Sequence, residues 1–156
     1  MRSPAEPINE TEMRRIEERR SSRLIVRDAA ERILLFRYAQ WSGGTFWATP
    51  GGGVEIDETF EQAALREASE ELGIKGNQAD FLWVRNVSIP YRDHDVQQEE
   101  RYFQMTVDSI NLTQDSVKQE HKREGIIEGR WWTFAELSST KETVFPEDIA
   151  SRLSQI

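Results

Sequence analysis

Three glutamates, Glu67, Glu70 and Glu71, stand three and four residues apart in the segment that runs from Gly52 to Ile74. Residues at these spacings are neighbours on one side of an α-helix, so the sequence predicts that the three carboxylates lie close together. Like charges placed in this way destabilise a helix by roughly 0.2–0.5 kcal/mol per pair. A divalent cation between the carboxylates accounts for the pattern, because Mg²⁺ prefers oxygen ligands and bridges protein carboxylates to substrate phosphates.

Three consecutive glycines, Gly51, Gly52 and Gly53, precede this helix. Glycine tolerates positive φ angles and lets the backbone approach a ligand closely. We expect the backbone carbonyl of Gly51 to complete the ligand set of the metal, and Gly52 and Gly53 to lie beside the substrate. Such a metal would neutralise phosphate oxygens and lower the pKa of a bound water. The residues therefore indicate hydrolysis of a phosphoanhydride, with water as the nucleophile.

The same segment resembles the signature of the Nudix hydrolases, in its MutT-type form. That signature is a glycine, five residues, a glutamate, seven residues and the run Arg-Glu-aliphatic-any-Glu-Glu-any-Gly-aliphatic. It is met here by Gly52, Glu58, Arg66, Glu67, Ala68, Glu70, Glu71, Gly73 and Ile74. Ala68 is smaller than the usual aliphatic residue, and Thr49 and Asp57 stand where Leu and Gly are commonest. The resemblance implies a pyrophosphohydrolase that uses Mg²⁺, with Mn²⁺ as a substitute, and cleaves a nucleoside diphosphate linked to another group X.

Two further residues of the signature, Arg66 and Glu58, have alternative interpretations. Arg66 either lies exposed on the polar side of the helix or pairs with a carboxylate such as Glu58 or Glu67. The resemblance implies the second arrangement, in which Arg66 and Glu58 support the metal ligands from behind. Arginine suits this role because its planar guanidinium binds a carboxylate through two parallel hydrogen bonds.

The general base is left open by the sequence. Members of the family use either a glutamate of the signature, here Glu67, or a glutamate from a loop before the last strand. In this chain that loop offers Glu120, Glu124 and Glu128. Their spacing to the strand Arg130–Thr133 favours Glu124, with Glu120 second, although a solvated charged loop accounts equally well for each of them.

Histidines and aromatic residues are weaker candidates. His94 and His121 are the two histidines, and a lone loop histidine is more often a bystander than a catalytic group. Trp41 and Tyr91 stand in polar loops, and aromatic side chains there can stack on a nucleobase. The other aromatic residues are expected to belong to the core.

Composition narrows the class of protein. The chain has 156 residues, a net charge of −8 and no cysteine, which excludes disulfides and argues against duplex nucleic acid or an anionic membrane as the main partner. No apolar run approaches the ~18 residues of a membrane span, and the N-terminus lacks the apolar region of a signal peptide. We therefore expect a cytoplasmic monomer or homodimer that acts on a small-molecule nucleotide.

The elements that must position these residues follow from the hydrophobic pattern. Residues 1–18 are expected to form a polar tail or short helix, and residues 19–156 the Nudix domain. Strands are predicted at Ser22–Asp28 and Arg32–Tyr38, which form a hairpin, and at Thr45–Ala48, Phe81–Ser88, Glu100–Val107 and Arg130–Thr133, with a polar loop at Pro90–Glu99. The signature helix begins at a cap, either Asp57 or Thr59, and ends at Gly73; Phe134–Leu137 is predicted as a turn or helix, and Pro146–Leu153 as a helix. This order predicts an α/β fold, which the resemblance specifies as the Nudix α/β/α sandwich with a mixed β-sheet.

One function of another class competes with the enzyme. A Nudix-fold sensor would bind a nucleotide metabolite without cleaving it, but such domains usually lose a signature glutamate, and none is lost here. The signature does not encode the substrate. Oxidised nucleoside triphosphates, nucleotide sugars, dinucleoside polyphosphates and capped RNA all stay open.

Overall fold

A computed structural model describes residues 15–40, 42–108 and 125–156. The strands are β1 (Arg15–Arg27), β2 (Ile33–Ala39), β3 (Thr45–Ala48), β4 (Gly51–Gly53), β5 (Asp80–Pro90), β6 (His94–Thr106), β7 (Ile126–Trp132) and β8 (Val144–Phe145). The helices are α1 (Phe60–Leu72), α2 (Phe134–Ser139) and α3 (Ile149–Leu153). Within the described ranges the strands form one mixed sheet of order β5-β6-β1-β2-β3-β8, and β4 and β7 pair with β1 and β2.

The hairpin predicted near the N-terminus is confirmed. Strands β1 and β2 pair in antiparallel fashion, with Arg27 opposite Ile33. Asp28 stabilises the connection because its Oδ1 accepts hydrogen bonds from the backbone N–H groups of Ala30 (3.0 Å) and Arg32 (2.8 Å). Such side-chain bonds to the following backbone are the usual reason for aspartate in turns.

The first strand is longer than the sequence predicts. Residues 15–18, assigned above to the polar tail, are the beginning of β1, which pairs in parallel with β6 from Arg15 opposite His94 to Arg27 opposite Thr106. The loop predicted at Pro90–Glu99 is therefore wrong, because His94 to Glu99 belong to β6. Both segments are rich in polar and charged side chains, so they lack the apolar alternation that identifies a strand, and long-range pairing alone reveals them.

Apolar side chains cover both faces of the sheet. One face packs against α1 through residues that include Leu24, Val26, Leu34, Ala64 and Ala68. The opposite face packs against the C-terminal helices through Ile25, Leu35, Trp132, Leu137, Ile149 and Leu153 among others. Neighbouring residues of β1 alternate between the two clusters, as a strand with both faces buried requires. The predicted α/β fold, with helices on both sides of a mixed sheet, is confirmed.

The remaining boundaries differ by a few residues from those predicted. Strand β7 begins at Ile126 rather than Arg130, because it pairs along β2 as far as Tyr38. The last helix begins at Ile149 rather than Pro146. In the part of the chain that the structure describes, no helix has both the length and the apolar character needed to cross a membrane.

Candidate active site

Helix α1 begins at Thr59, one of the two caps that the sequence allows, and ends at the predicted Gly73. The Thr59 side chain accepts a hydrogen bond from the Gln62 backbone N–H (3.0 Å), and the Gln62 side chain accepts one from the Thr59 backbone (2.9 Å). Gly73 ends the helix in the left-handed conformation. Ser22 of β1 also donates to the carbonyl of Phe60 (2.6 Å), which holds the first turn against the sheet. The start of the helix is therefore tied to the strand beside the glycines.

The three signature glutamates divide between two environments. Glu67 and Glu71 are buried, with 9% and 7% exposure, whereas the side chain of Glu70 is 57% exposed. At about 100° per residue, Glu71 lies only about 40° around the helix from Glu67, but Glu70 lies about 100° from Glu71. Ala64 and Ala68 turn the first pair towards the sheet because their small side chains let the helix lie close to it.

The glycines that precede the helix are in direct contact with this buried pair. As strand β4 they pair with β1, with Arg23 opposite Gly51. The Gly51 N–H donates to Oε2 of Glu71 (3.3 Å). A Cβ added to Gly52 would lie 2.4 Å from Oε1 of Glu67. The glycine segment and the two carboxylates thus form one packed unit.

Arg66 binds several acceptors around this unit. Its Nε and Nη2 donate to the two carboxylate oxygens of Glu58 (2.8 and 2.9 Å), and Nη2 also donates to the Gly53 carbonyl (2.9 Å). Its Nη1 donates to Glu67 (3.0 Å) and Glu70 (3.3 Å). The hydrogen bond to Glu58 is the main reason that the pKa of Arg66 is raised and that of Glu58 is lowered. Arg66 therefore contacts both carboxylates that the sequence analysis named as alternatives.

The buried pair carries an electrostatic cost that suits a cation site. Burial raises the pKa of Glu67, and repulsion from Glu70 acts in the same direction against the hydrogen bond from Arg66. The Glu67 and Glu71 carboxyl groups are also in hydrogen-bonding contact. Among the described residues, no group of three or more His, Cys, Asp or Glu side chains has the arrangement of a metal site, and Arg66 engages Glu67 and Glu70 instead. The donors are nevertheless carboxylate oxygens, the type that fits a hard divalent cation.

Substitution of Gly52 by alanine tests whether this contact positions a metal ligand. Because the added Cβ meets only the end of a side chain, Gly52→Ala should keep the fold but push the Glu67 carboxylate away. We expect the affinity for Mn²⁺ in titration calorimetry to fall by ~10-fold or more, as when residues that orient metal ligands are changed. Gly53→Ala is the matched control, since its Cβ would have no neighbour closer than 4.0 Å. Equal affinities in the two variants would show that Gly52 does not position a metal ligand.

Tyr91, a candidate for stacking on a nucleobase, belongs to a different part of the sheet. Tyr91 stacks on His94 (5.1 Å between ring centres) at the tip of the β5–β6 hairpin. Strand β1 pairs with His94 at Arg15 and with the glycines from Ser21 to Arg23, and these six to eight steps correspond to ~20–26 Å of strand at about 3.3 Å per residue. The Tyr91 ring packs on Arg19 (5.6 Å) as well as on His94, and its role in stacking on a nucleobase stays a prediction.

The loop candidates are only partly described. Trp41, Glu120 and Glu124 lie outside the described residues, so the proposed stacking and general-base roles stay predictions. Glu128 belongs to β7 rather than to a loop, and its carboxylate pairs with Arg37 of β2 (3.4 Å). This pairing accounts for Glu128 without a catalytic role.

A buried polar cluster that was not predicted from the sequence lies beside the glycines. Glu100 of β6 is only 6% exposed and pairs with Arg23 (3.3 Å) and Arg85 (3.0 Å). Burial lowers the pKa of Arg23, but negative charge, first that of Glu100 and also that of Glu71, outweighs this effect and the pKa is raised. Burial raises the pKa of Tyr102 to about 12. The available signal was alternation, which places Glu100 on the same strand face as Tyr102.

Comparisons with known proteins agree with this geometry. A sequence 54% identical over 39 residues is the 8-oxo-dGTP diphosphatase of Proteus vulgaris; the match covers 25% of this chain and 35% of that protein. An RNA pyrophosphohydrolase of Teredinibacter turnerae is 35% identical over 69 residues, or 44% of this chain and 39% of that protein. Across the curated relatives that it matches, the chain spans between 26% and 39% of their length. The names of these relatives agree with the predicted class, a hydrolase of phosphoanhydride bonds.

Similarity over the whole domain is found in structures and in a family model. The MutT protein of Methanosarcina mazei Go1 superposes with a TM-score of 0.64 at 21% identity, covering 89% of this chain and 94% of that one. At this identity the likeness shows the fold alone. The model of the NUDIX domain matches residues 17–153, which include the glycine segment, the buried carboxylates and the strands that hold them. By this match over most of its length, the chain belongs to the NUDIX domain family.

Proposed function

We propose that the chain is a Mg²⁺-dependent pyrophosphohydrolase that cleaves a nucleoside diphosphate linked to another group X. The observation that carries this proposal is the buried pair Glu67 and Glu71 in contact with the glycine segment. Two adjacent buried carboxylates are costly unless a cation or hydrogen bonds compensate them. All the signature glutamates are present, which favours an enzyme over a nucleotide sensor.

The chain's own residues would hold the ion and orient the reacting groups. Glu67, Glu70, Glu71 and the Gly51 carbonyl are the proposed ligands of Mg²⁺, with Mn²⁺ as a substitute. When bound, the ion neutralises phosphate oxygens and lowers the pKa of the attacking water. The Gly51 N–H restrains Glu71, and Arg66 restrains Glu67, so the ligands are held in place before the substrate arrives.

The glycine backbone and a general base are proposed to bind the substrate and to accept a proton. Gly52 and Gly53 let the main chain approach the diphosphate closely, because neither carries a side chain. Glu124 is proposed to accept the proton of the attacking water, with Glu120 or Glu67 as the alternatives. A loop residue suits this step if the loop closes over the bound phosphates.

The substrate is proposed at the level of its class. The named relatives act on 8-oxo-dGTP and on RNA, and both names describe cleavage between phosphoryl groups. A panel should therefore contain oxidised nucleoside triphosphates, triphosphate-bearing and capped RNA, nucleotide sugars, dinucleoside polyphosphates and ADP-ribose. The sequence-based expectation of a cytoplasmic monomer or homodimer completes the proposal.

Binding of a divalent ion and its effect on the panel test the proposal directly. Titration calorimetry should detect at least one Mg²⁺ or Mn²⁺ ion per chain, because Glu67 and Glu71 are buried together beside the glycines. Phosphate or pyrophosphate release from at least one panel member should require the ion and stop when it is chelated. Absence of divalent binding, with or without nucleotide, would contradict the proposed site. Binding of a nucleotide without hydrolysis would favour the sensor.

A further inference from the structure

A buried carboxylate outside the signature connects three strands next to the candidate site. Glu100 accepts hydrogen bonds from Arg85 (3.0 Å), Arg23 (3.3 Å) and Gln98 (3.0 Å). Arg85 belongs to β5 and Arg23 to β1, the two strands that flank β6. These three hydrogen bonds compensate the hydration that so deeply buried a carboxyl group loses. The two guanidinium groups are therefore held in place by the same anion.

Only one of the two arginines reaches the glycine segment. Arg23 stands opposite Gly51 in the β1–β4 pairing, and a Cβ on Gly51 would lie 2.8 Å from the Arg23 Cα and 3.1 Å from its Cδ. The Gly51 backbone therefore rests on the Arg23 side chain. Electrostatic interaction with Glu71 also acts on Arg23, and Glu71 in turn accepts the Gly51 N–H.

We propose that Arg23 is a positioning residue, held by Glu100, that keeps Gly51 and Glu71 in contact at the candidate site. Its stem supports the backbone of Gly51, and its charge lies near Glu71 without binding the substrate. Glu100 supplies the anchor, because an unrestrained arginine stem would support the Gly51 backbone less firmly. This role deepens the proposed function and rests on it for its effect on catalysis, although the structural contact can be tested alone.

The test compares two variants that remove one guanidinium each from the same buried carboxylate. Arg23→Met loses the positive charge and the bond to Glu100 beneath Gly51, whereas Arg85→Met makes the equivalent change away from Gly51. Both should lose similar thermal stability, since each leaves Glu100 with two of its three partners. Arg23→Lys keeps the stem and the charge and should recover part of what Arg23→Met loses.

Amide hydrogen exchange of the full-length protein is the readout that needs no activity. Hydrogen exchange reports local opening separately from global unfolding. The exchange rate of the Gly51 amide should be ~10-fold higher in Arg23→Met than in the wild type. In Arg85→Met it should stay within ~3-fold of the wild-type rate. With the best substrate of the panel, Arg23→Met should lower kcat by ~10-fold and change KM by less than ~3-fold, as expected for lost positioning rather than lost binding. Arg85→Met should keep the wild-type kcat.

The outcomes separate this inference from the proposed function. Equal exchange rates at Gly51 in the Arg23→Met and Arg85→Met variants would overturn the role of Arg23, even if the wild type is an active enzyme. A wild type that hydrolyses no member of the panel would contradict the proposed function, while faster exchange confined to Arg23→Met would still support the positioning contact. If the protein is active, equal kcat values for the two methionine variants would also overturn the inference.

Discussion

Glu71→Gln should lower turnover by at least ~100-fold at saturating Mg²⁺, a loss equivalent to ~2.7 kcal/mol of transition-state stabilisation. The glutamine keeps an oxygen that can accept the Gly51 N–H, so the local structure should persist. It removes a negative charge that strengthens the binding of a divalent ion, and so weakens the stabilisation of charge that develops on phosphate. The expected measurement is kcat by phosphate release over a range of Mg²⁺ concentrations.

The stability of Glu71→Gln distinguishes a catalytic effect from a folding defect. Its melting temperature should match or exceed that of the wild type, because a neutral amide replaces one member of a buried pair of acidic side chains. Glu61→Gln is the matched control, since Glu61 lies in the same helix and is exposed, and it should keep the wild-type kcat. A Glu71→Gln variant with nearly full turnover at saturating Mg²⁺ would refute the assignment of Glu71 as a metal ligand.

Gly51→Ala should have the largest effect on folding of any substitution considered. The φ angle at Gly51 is +142°, and an added Cβ would lie 2.2 Å from the Ser22 carbonyl oxygen. That oxygen belongs to the β1 backbone, which cannot move aside as the end of a side chain can. Conformational strain and overpacking each cost about 1–3 kcal/mol, so we expect the free energy of unfolding to fall by about 2–6 kcal/mol.

Denaturant unfolding of two neighbouring variants measures this effect. Gly53→Ala should change the free energy of unfolding by less than about 1 kcal/mol, because the nearest atom to an added Cβ would be 4.0 Å away. The difference between Gly51→Ala and Gly53→Ala therefore reports the positive φ angle at Gly51 together with its close contacts with Ser22 and Arg23. Similar unfolding curves for the two variants would mean that β4 does not lie this close to β1 in solution.

Local signals in the sequence were sufficient to predict helix α1, with its cap at either Asp57 or Thr59. Thr59 with Gln62, and Gly73 at the other end, define the helix through short-range hydrogen bonds and the conformational freedom of glycine. Asp57, which stands where the family commonly has glycine, adopts a φ angle of +64°. That conformation explains the preference, because glycine adopts positive φ without steric cost. Spacing along the helix also placed Glu67, Glu70 and Glu71 near one another.

Which of these glutamates is buried could not be known from spacing. Helical geometry relates the three side chains to each other, but the position of the sheet decides which of them it covers. Packing of Ala64 and Ala68 against β1 and β2 buries Glu67 and Glu71 and leaves Glu70 exposed. The same packing brings Arg66 to four acceptors at once, whereas the sequence suggested only one or two.

By itself, the sequence determined the family, the α/β class, the N-terminal hairpin and the candidate carboxylates, because each depends on residue type and short spacing. Only the tertiary structure decided that the charged segments beginning at Arg15 and His94 form paired strands. It alone also brought Glu100 to Arg23 and so to Gly51. These contacts join residues that are distant in sequence and that lie in polar segments without a hydrophobic period. Such a pairing cannot be recognised until the strands lie side by side.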